Sequence, residues 1–250
     1  MTDQGLWISW YNLPNDGREG YLSWLYDSYI PGMLKKPGFL WAAHYASAKI
    51  KPGPHIRHTT DPAVPTGNDY VLMFGAETAH AFSKGTAAFT KSGPSKLDTH
   101  LTDADRKMLA MRIGERVCIT TEEARADGPE ARARGGKLTP APCIQLGSFN
   151  DSTVAVEDEL LSWYADWRMG ALGNLPGCLG IRKMVSTSGW AKHLVLYEFL
   201  SLEERAKNLP KLNELYPDMI EWTTKAVPKL IHAPESPIVA QRLWPLVKSA

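Results

Sequence analysis

Apolar and polar positions along the chain change period in a fixed order, and that order occurs twice. The run 6–11 (LWISWY) is dense in aromatic and β-branched residues and predicts a strand. A turn of Asn12, Pro14, Asn15, Asp16 and Gly17 follows. Tyr21, Trp24, Leu25, Tyr29 and Met33 then recur at three- and four-residue steps, which predicts a helix over 18–34 whose last turn Pro31 ends or kinks. Pro37-Gly38 marks the turn into a second strand at 39–48, and a loop rich in Pro, Gly and His spans 51–68. A strand at 69–77 leads to a short helical stretch near 78–91, a polar helix at 102–112 and a strand at 115–122. The second pass has a strand at 142–149, a helix at 156–173 and the turn Pro176-Gly177. Strands at 178–186 and 193–200, helices near 202–214 and 217–231 and a strand near 237–244 complete it. Strand, helix, strand, strand, helix, strand in each half suits an antiparallel sheet with helices on one face, the ferredoxin-like arrangement.

The two passes also match residue by residue. Residues 23–47 align without a gap on 162–186, and seven of 25 positions are identical, including Trp24/Trp163, Asp27/Asp166, Pro37/Pro176 and Gly38/Gly177. The reading is α+β, with tandem ferredoxin-like repeats (βαββαβ twice). The expected division is a first repeat at 1–122, a linker or flap at 123–141 and a second repeat at 142–250. The segment 123–141 is rich in Arg, Ala, Gly and Pro and has no apolar periodicity, hence the linker assignment. A small ligand is expected between or beneath the two packed units.

Composition removes some functions and favours others. With 28 basic and 27 acidic residues in 250, net charge gives no reason to expect a nucleic-acid or membrane partner. The N-terminal stretch lacks the charged start and apolar core of a signal peptide, and no apolar run reaches the ~20 residues of a membrane span, so a cytoplasmic protein is expected. Cys118, Cys143 and Cys178 lie in apolar runs and read as buried free thiols. No Walker loop, G-x-G-x-x-G, G-x-S-x-G or H-E-x-x-H occurs. Nine Trp and nine Tyr offer large rigid faces suited to flat aromatic ligands.

Trp24, Pro31 and Pro37-Gly38-Phe39, and again Trp163, Tyr164 and Leu175-Pro176-Gly177, carry a resemblance. The helix-and-turn segments resemble the dimeric α+β barrel superfamily, in particular its EthD-like members. That resemblance implies two ferredoxin-like units whose antiparallel sheets face each other to form an α+β barrel, here within one chain, with a homodimer left open. Its members include cofactor-free monooxygenases, polyketide cyclases, dehydratases, decarboxylases and haem-degrading enzymes. The chain departs from the family helix motif: Ser28-Tyr29 and Trp167-Arg168 stand where a Glu-His pair is common.

The residues with acid–base or anchoring chemistry are few. His44, within WAAHY, lies on a strand beside Trp41 and Tyr45 and suits a general acid or base; Lys183 is its counterpart in the second half. Tyr29 lies on the helix stripe and could orient or protonate a substrate. His58, in the loop PGPHIRHTTD, could assist from above. Its H-x-x-H-x-x-D spacing has no helix to fix it, and no metal is expected. Trp24, Trp41, Tyr45 and Trp163 are candidate pocket walls, and Arg168 and Arg182 candidate anchors for a carboxylate or phenolate. These residues favour an enzyme without cofactor that moves protons on a small aromatic or polyketide-like molecule in an apolar pocket: a lyase, cyclase, isomerase or decarboxylase. The alternatives are a haem-binding or oxygen-using monooxygenase-like protein, which would need an axial His, and a non-catalytic small-molecule binder.

Overall fold

The computed structural model describes residues 3–50, 53, 55–82 and 101–245. In the first half β1 (Gly5–Asn12), β2 (Phe39–Ser47), β3 (Tyr70–Ala76) and β4 (Ile113–Asp127) lie in the spatial order β4-β1-β3-β2, every neighbour antiparallel. Helix α1 (18–34) follows β1, and α2 (Asp103–Leu109) precedes β4. The second half has β5 (Cys143–Asp151), helix α3 (154–173), β6 (Cys178–Ser188) and β7 (His193–Phe199). Helices α4 (Leu202–Asn208), α5 (Lys211–Leu215) and α6 (Asp218–Ala226) follow, then β8 (Leu230–His232) and β9 (Ile238–Trp244). Here β9, β5, β7 and β6 repeat the order of the first half, with β8 beside the end of β5. Two seams, β4 with β6 and β2 with β9, join the sheets into a closed ring of eight antiparallel strands. The protein is therefore an α+β barrel of two ferredoxin-like units, and one chain supplies both seams.

Strand alternation sorts the side chains into three cores. Leu6, Ile8 and Trp10 face the barrel interior with Trp41, Tyr45, Met73, Cys118, Met184 and Leu196; all eight ring strands contribute, and these side chains fill the space between the sheets. The space expected between the sheets is thus packed. Gly75 makes room for Trp41: a Cβ there would lie 2.0 Å from the indole Cε2. On the outer face of each sheet the helices pack. Tyr21, Leu25, Tyr29, Ile30 and Met33 of α1 cover Trp7, Leu72 and Phe74, each such burial stabilising by roughly 1.5–3 kcal/mol. Leu160, Trp163, Tyr164 and Leu172 of α3 do the same for the second sheet. The three cysteines are buried and unbridged, and burial pushes the Cys143 thiol up to about 12 and Cys178 to about 11.

Local geometry repeats at the spacing of the sequence match. Each long helix contains one π turn, Leu25–Tyr29 in α1 and Tyr164–Arg168 in α3, closed by Ile30 N–H to Leu25 O and Met169 N–H to Tyr164 O. Pro31 is not its cause, because Gly170 takes that place in α3 and the turn persists. Gly38 and Gly177 both have positive φ, 86° and 78°, as the Pro-Gly turns require.

Two expectations change. The boundary at 122 lies inside β4, which continues to Asp127 and pairs with β6 along the barrel seam. The polar alternation of 123–127, with one face towards solvent, hid that strand. Further on, Arg134 grips the buried Glu198 of β7 through two hydrogen bonds of 2.6 and 2.9 Å, so this part of 123–141 is anchored. The helical stretch expected near 78–91 starts as a 3₁₀ turn, Ala79–Phe82, and its remainder falls outside the described residues. No helix among the described residues is long and apolar enough to cross a membrane.

Candidate functional site

The helix-facing side of each sheet holds a polar group. In the first half, His44 of β2 is fully buried, with both ring nitrogens engaged: Tyr11 Oη lies 2.9 Å from Nε2 and Tyr26 Oη 2.8 Å from Nδ1. A neutral imidazole has one donor and one acceptor, so one phenol donates and the other accepts. Tyr11 and Tyr70 stack on the ring, and Arg112 stands 4.5 Å from the Tyr11 ring centroid while donating to Tyr21 Oη and Glu115. Burial, reinforced by the Arg112 charge, holds the His44 pKa down to about 3. His44 therefore stays neutral across the physiological range and bridges two phenols. The acid–base role expected of it would require one of these two hydrogen bonds to open.

The other two residues expected to act with it make different contacts. Tyr29 packs among Trp24, Phe74 and the Arg112 guanidinium. His58 bonds through Nε2 to the Ser236 carbonyl, 2.8 Å away, on the second half. The expected wall residues also divide. Trp24 donates to Asp105 on α2. Trp41 and Tyr45 belong to the barrel interior, where Trp41 donates to Asp3 and Tyr45 to the Ala141 carbonyl. Arg182 is spent on Asp3 and Glu122, a buried ion cluster at the β4–β6 seam. Trp163 and Arg168 come together on the second half: the Arg168 guanidinium lies 5.4 Å from the Trp163 ring centroid and 5.5 Å from that of Tyr197.

Arg168 opens onto a hollow. It is the last residue of the π turn in α3, a place where extra backbone width recurs at functional sites. A space of about 280 Å³ lies against the outer face of the second sheet, lined by Arg168, Arg205, Gln145, Ile56, Val227 and Val239. A more open space of about 440 Å³ adjoins it and shares Gly53, Arg168, Arg205 and Thr223. From the segment after β2, His55 and Ile56 lie on the wall of the smaller space, and His58 does not. Arg205, midway along α4, donates twice to Gln145 Oε1, at 3.0 and 2.5 Å. Arg168 reaches the Tyr197 hydroxyl at 3.5 Å, and Tyr164 lies 3.3 Å beyond.

Arginines differ in what their charge meets: Arg116 and Arg242 bond to backbone carbonyls, Gly67 O and Pro140 O, without a carboxylate among the described residues. Arg112, Arg125, Arg134 and Arg182 each pair with a carboxylate. Arg168 and Arg205 are half-buried and form no ion pair among the described residues. Guanidinium donors without a carboxylate, facing an apolar-walled hollow, have the chemistry to hold an anion. Sequence reading found Arg168 but missed Arg205 and Gln145. Arg205 lies in a charged stretch, LEERAKN, that reads as solvated helix.

No protein-family model matches the chain, and neither does any curated protein. Solved structures do resemble it in shape. An anthrone oxidase-like protein superimposes with a TM-score of 0.60 at 11% identity over 97% of this chain and 92% of that one. A candidate monooxygenase from Fusobacterium nucleatum gives 0.57 at 11% identity over 97% and 94%. A candidate chlorite dismutase gives 0.53 at 13% over 96% and 94%. At such identities these likenesses establish the α+β barrel fold.

Proposed function

We propose that the protein is an oxygen-using, monooxygenase-like enzyme that binds a small aromatic substrate as its anion between Arg168 and Arg205. The single observation behind this reading is the pair of guanidiniums without carboxylate partners on one apolar-walled hollow. The oxidase- and monooxygenase-like names among the structural neighbours support it as analogy. The EthD-like kinship and descent by duplication belong to the same proposal, supported by the π turns and Pro-Gly turns that recur in register.

The chemistry follows from the charge. Two arginines stabilise a phenolate or enolate, so the substrate gives its proton to solvent on binding and no protein base is needed. An electron-rich anion of this kind can react with O₂ directly. The balanced outcome at an activated methylene is R₂CH₂ + O₂ → R₂C=O + H₂O, the substrate supplying all four electrons. Ile56, Val227 and Val239 exclude water around the reacting carbon, and Gln145 holds Arg205 in place.

A haem-dependent version fits the residues poorly. His44 has both nitrogens engaged, His58 is held by Ser236, and His193 faces two carboxylates. His55, an exposed loop residue, is the one described histidine on the hollow. None of these four described histidines is held against a slot as an axial ligand would be.

The test is O₂ consumption with hydroxylated naphthalenes and anthrones. The expected result is turnover that stops under nitrogen and falls at least tenfold in Arg168→Met. Turnover that continues unchanged without O₂ would favour proton-transfer chemistry on the same anion.

A further inference from the structure

At the other end of the second sheet, three side chains converge that the aromatic site does not use. Asp151 closes β5, Glu157 lies in the first turn of α3, and His193 opens β7. His193 Nε2 is 2.9 Å from Asp151 Oδ2 and 3.3 Å from Glu157 Oε1, and one ligand atom from each residue lies within 4.8 Å of the others. His193 is only 2% exposed. Neither of its ring nitrogens and neither Asp151 carboxylate oxygen has a hydrogen-bond partner at bonding angle among the described residues. Buried polar atoms left in that state are costly and rare.

The geometry resolves the conflict between close approach and missing hydrogen bonds. Donors 2.0–2.2 Å from one ion, at right-angle to tetrahedral spacing, are about 2.8–3.6 Å apart. Each then lies about 35–45° off its neighbour's lone-pair axis, which misaligns a hydrogen bond between them. We infer that Asp151, Glu157 and His193 form a binding site for a divalent transition-metal ion. One imidazole and two carboxylates suit a borderline ion such as Zn²⁺ or Co²⁺, and three protein ligands leave positions open to water. Lys192 pairs with the other Glu157 oxygen, Oε2, so the two carboxylates and this ammonium leave one net negative charge to receive the cation. A hollow of about 420 Å³ bordered by Asn150, Ser152, Thr153 and Lys192 gives the ion a path from solvent.

Tag-free protein stripped with EDTA and titrated with Zn²⁺ by calorimetry tests the site. One equivalent should bind with a dissociation constant in the micromolar range or below, and the melting temperature should rise. Co²⁺ in place of Zn²⁺ should give visible d–d absorption. His193→Gln and Glu157→Gln should each weaken binding at least tenfold; Glu157 is partly exposed, so its variant should fold even if the His193 variant does not. Absence of Zn²⁺ uptake by the parent protein, or parent-like affinity in Glu157→Gln, would overturn the assignment. Neither result bears on the Arg168–Arg205 hollow, whose test uses aromatic anions and O₂.

Discussion

Replacing His44 by Gln tests how the first half is held together. In the folded protein, burial among Tyr11, Tyr26 and Tyr70, with Arg112 nearby, lowers the His44 pKa from 6.5 to about 3. The unfolded chain then binds one more proton than the folded chain between those two values. Stability must rise with pH through that window: it is present in full above pH ~6.5 and lost as pH falls towards 3. The whole effect of this one group is about 5 kcal/mol, of which about 2 kcal/mol disappears between pH 7 and pH 5. His232, held down to about 4 by burial and the neighbouring His58, acts in the same direction, so the parent's pH dependence alone cannot isolate His44. The difference between parent and variant can. Urea unfolding of both at pH 7, 6 and 5 should show their stability gap narrowing by about 2 kcal/mol, because the variant has no imidazole to protonate. A gap that stays constant from pH 7 to 5 would mean that His44 titrates normally in the fold, and the sealed Tyr-His-Tyr bridge would be wrong.

Other expectations follow from packing and charge. Gly75→Ala drives a methyl into the Trp41 indole and should cost about 1–3 kcal/mol or more, read as a lower urea midpoint with unchanged slope. Asp3→Asn leaves the buried Arg182 with Glu122 alone and should destabilise by about 3 kcal/mol, whereas a change below 0.5 kcal/mol (roughly the level of a surface substitution) would deny the seam its ion cluster. Glu198→Gln weakens the double grip of Arg134 and should make the 128–141 segment cut faster by protease while the barrel stays folded; equal cutting would contradict the anchoring.

How far the sequence reveals this molecule depends on the physical signal in each part. The helix at 18–34 is found where its apolar spacing put it, and the Pro-Gly turns mark both strand entries, because periodicity and backbone restriction are local properties. Barrel closure is not local. It needs the polar end of β4 to meet β6, and nothing in EARAD distinguishes a seam strand from a loop. The π turns carry no sequence signature at all, since Pro31 and Gly170 serve equally. His44 reads from sequence as a strand histidine beside Trp41 and Tyr45, but only the fold shows that Tyr11 and Tyr26 engage both nitrogens. Arg168 is legible as a candidate anchor for a carboxylate or phenolate. Arg205 became meaningful only once folding brought it to the same hollow without a carboxylate.

The most direct measurement is calorimetric titration of the protein with 1-hydroxy-2-naphthoate, an aromatic anion carrying both phenol and carboxylate. One site with a dissociation constant in the micromolar range is expected, weakened at least tenfold in Arg168→Met and in Arg205→Gln while His44→Gln binds as the parent does. Parent-like affinity in both arginine variants, or binding lost only with His44→Gln, would contradict this assignment.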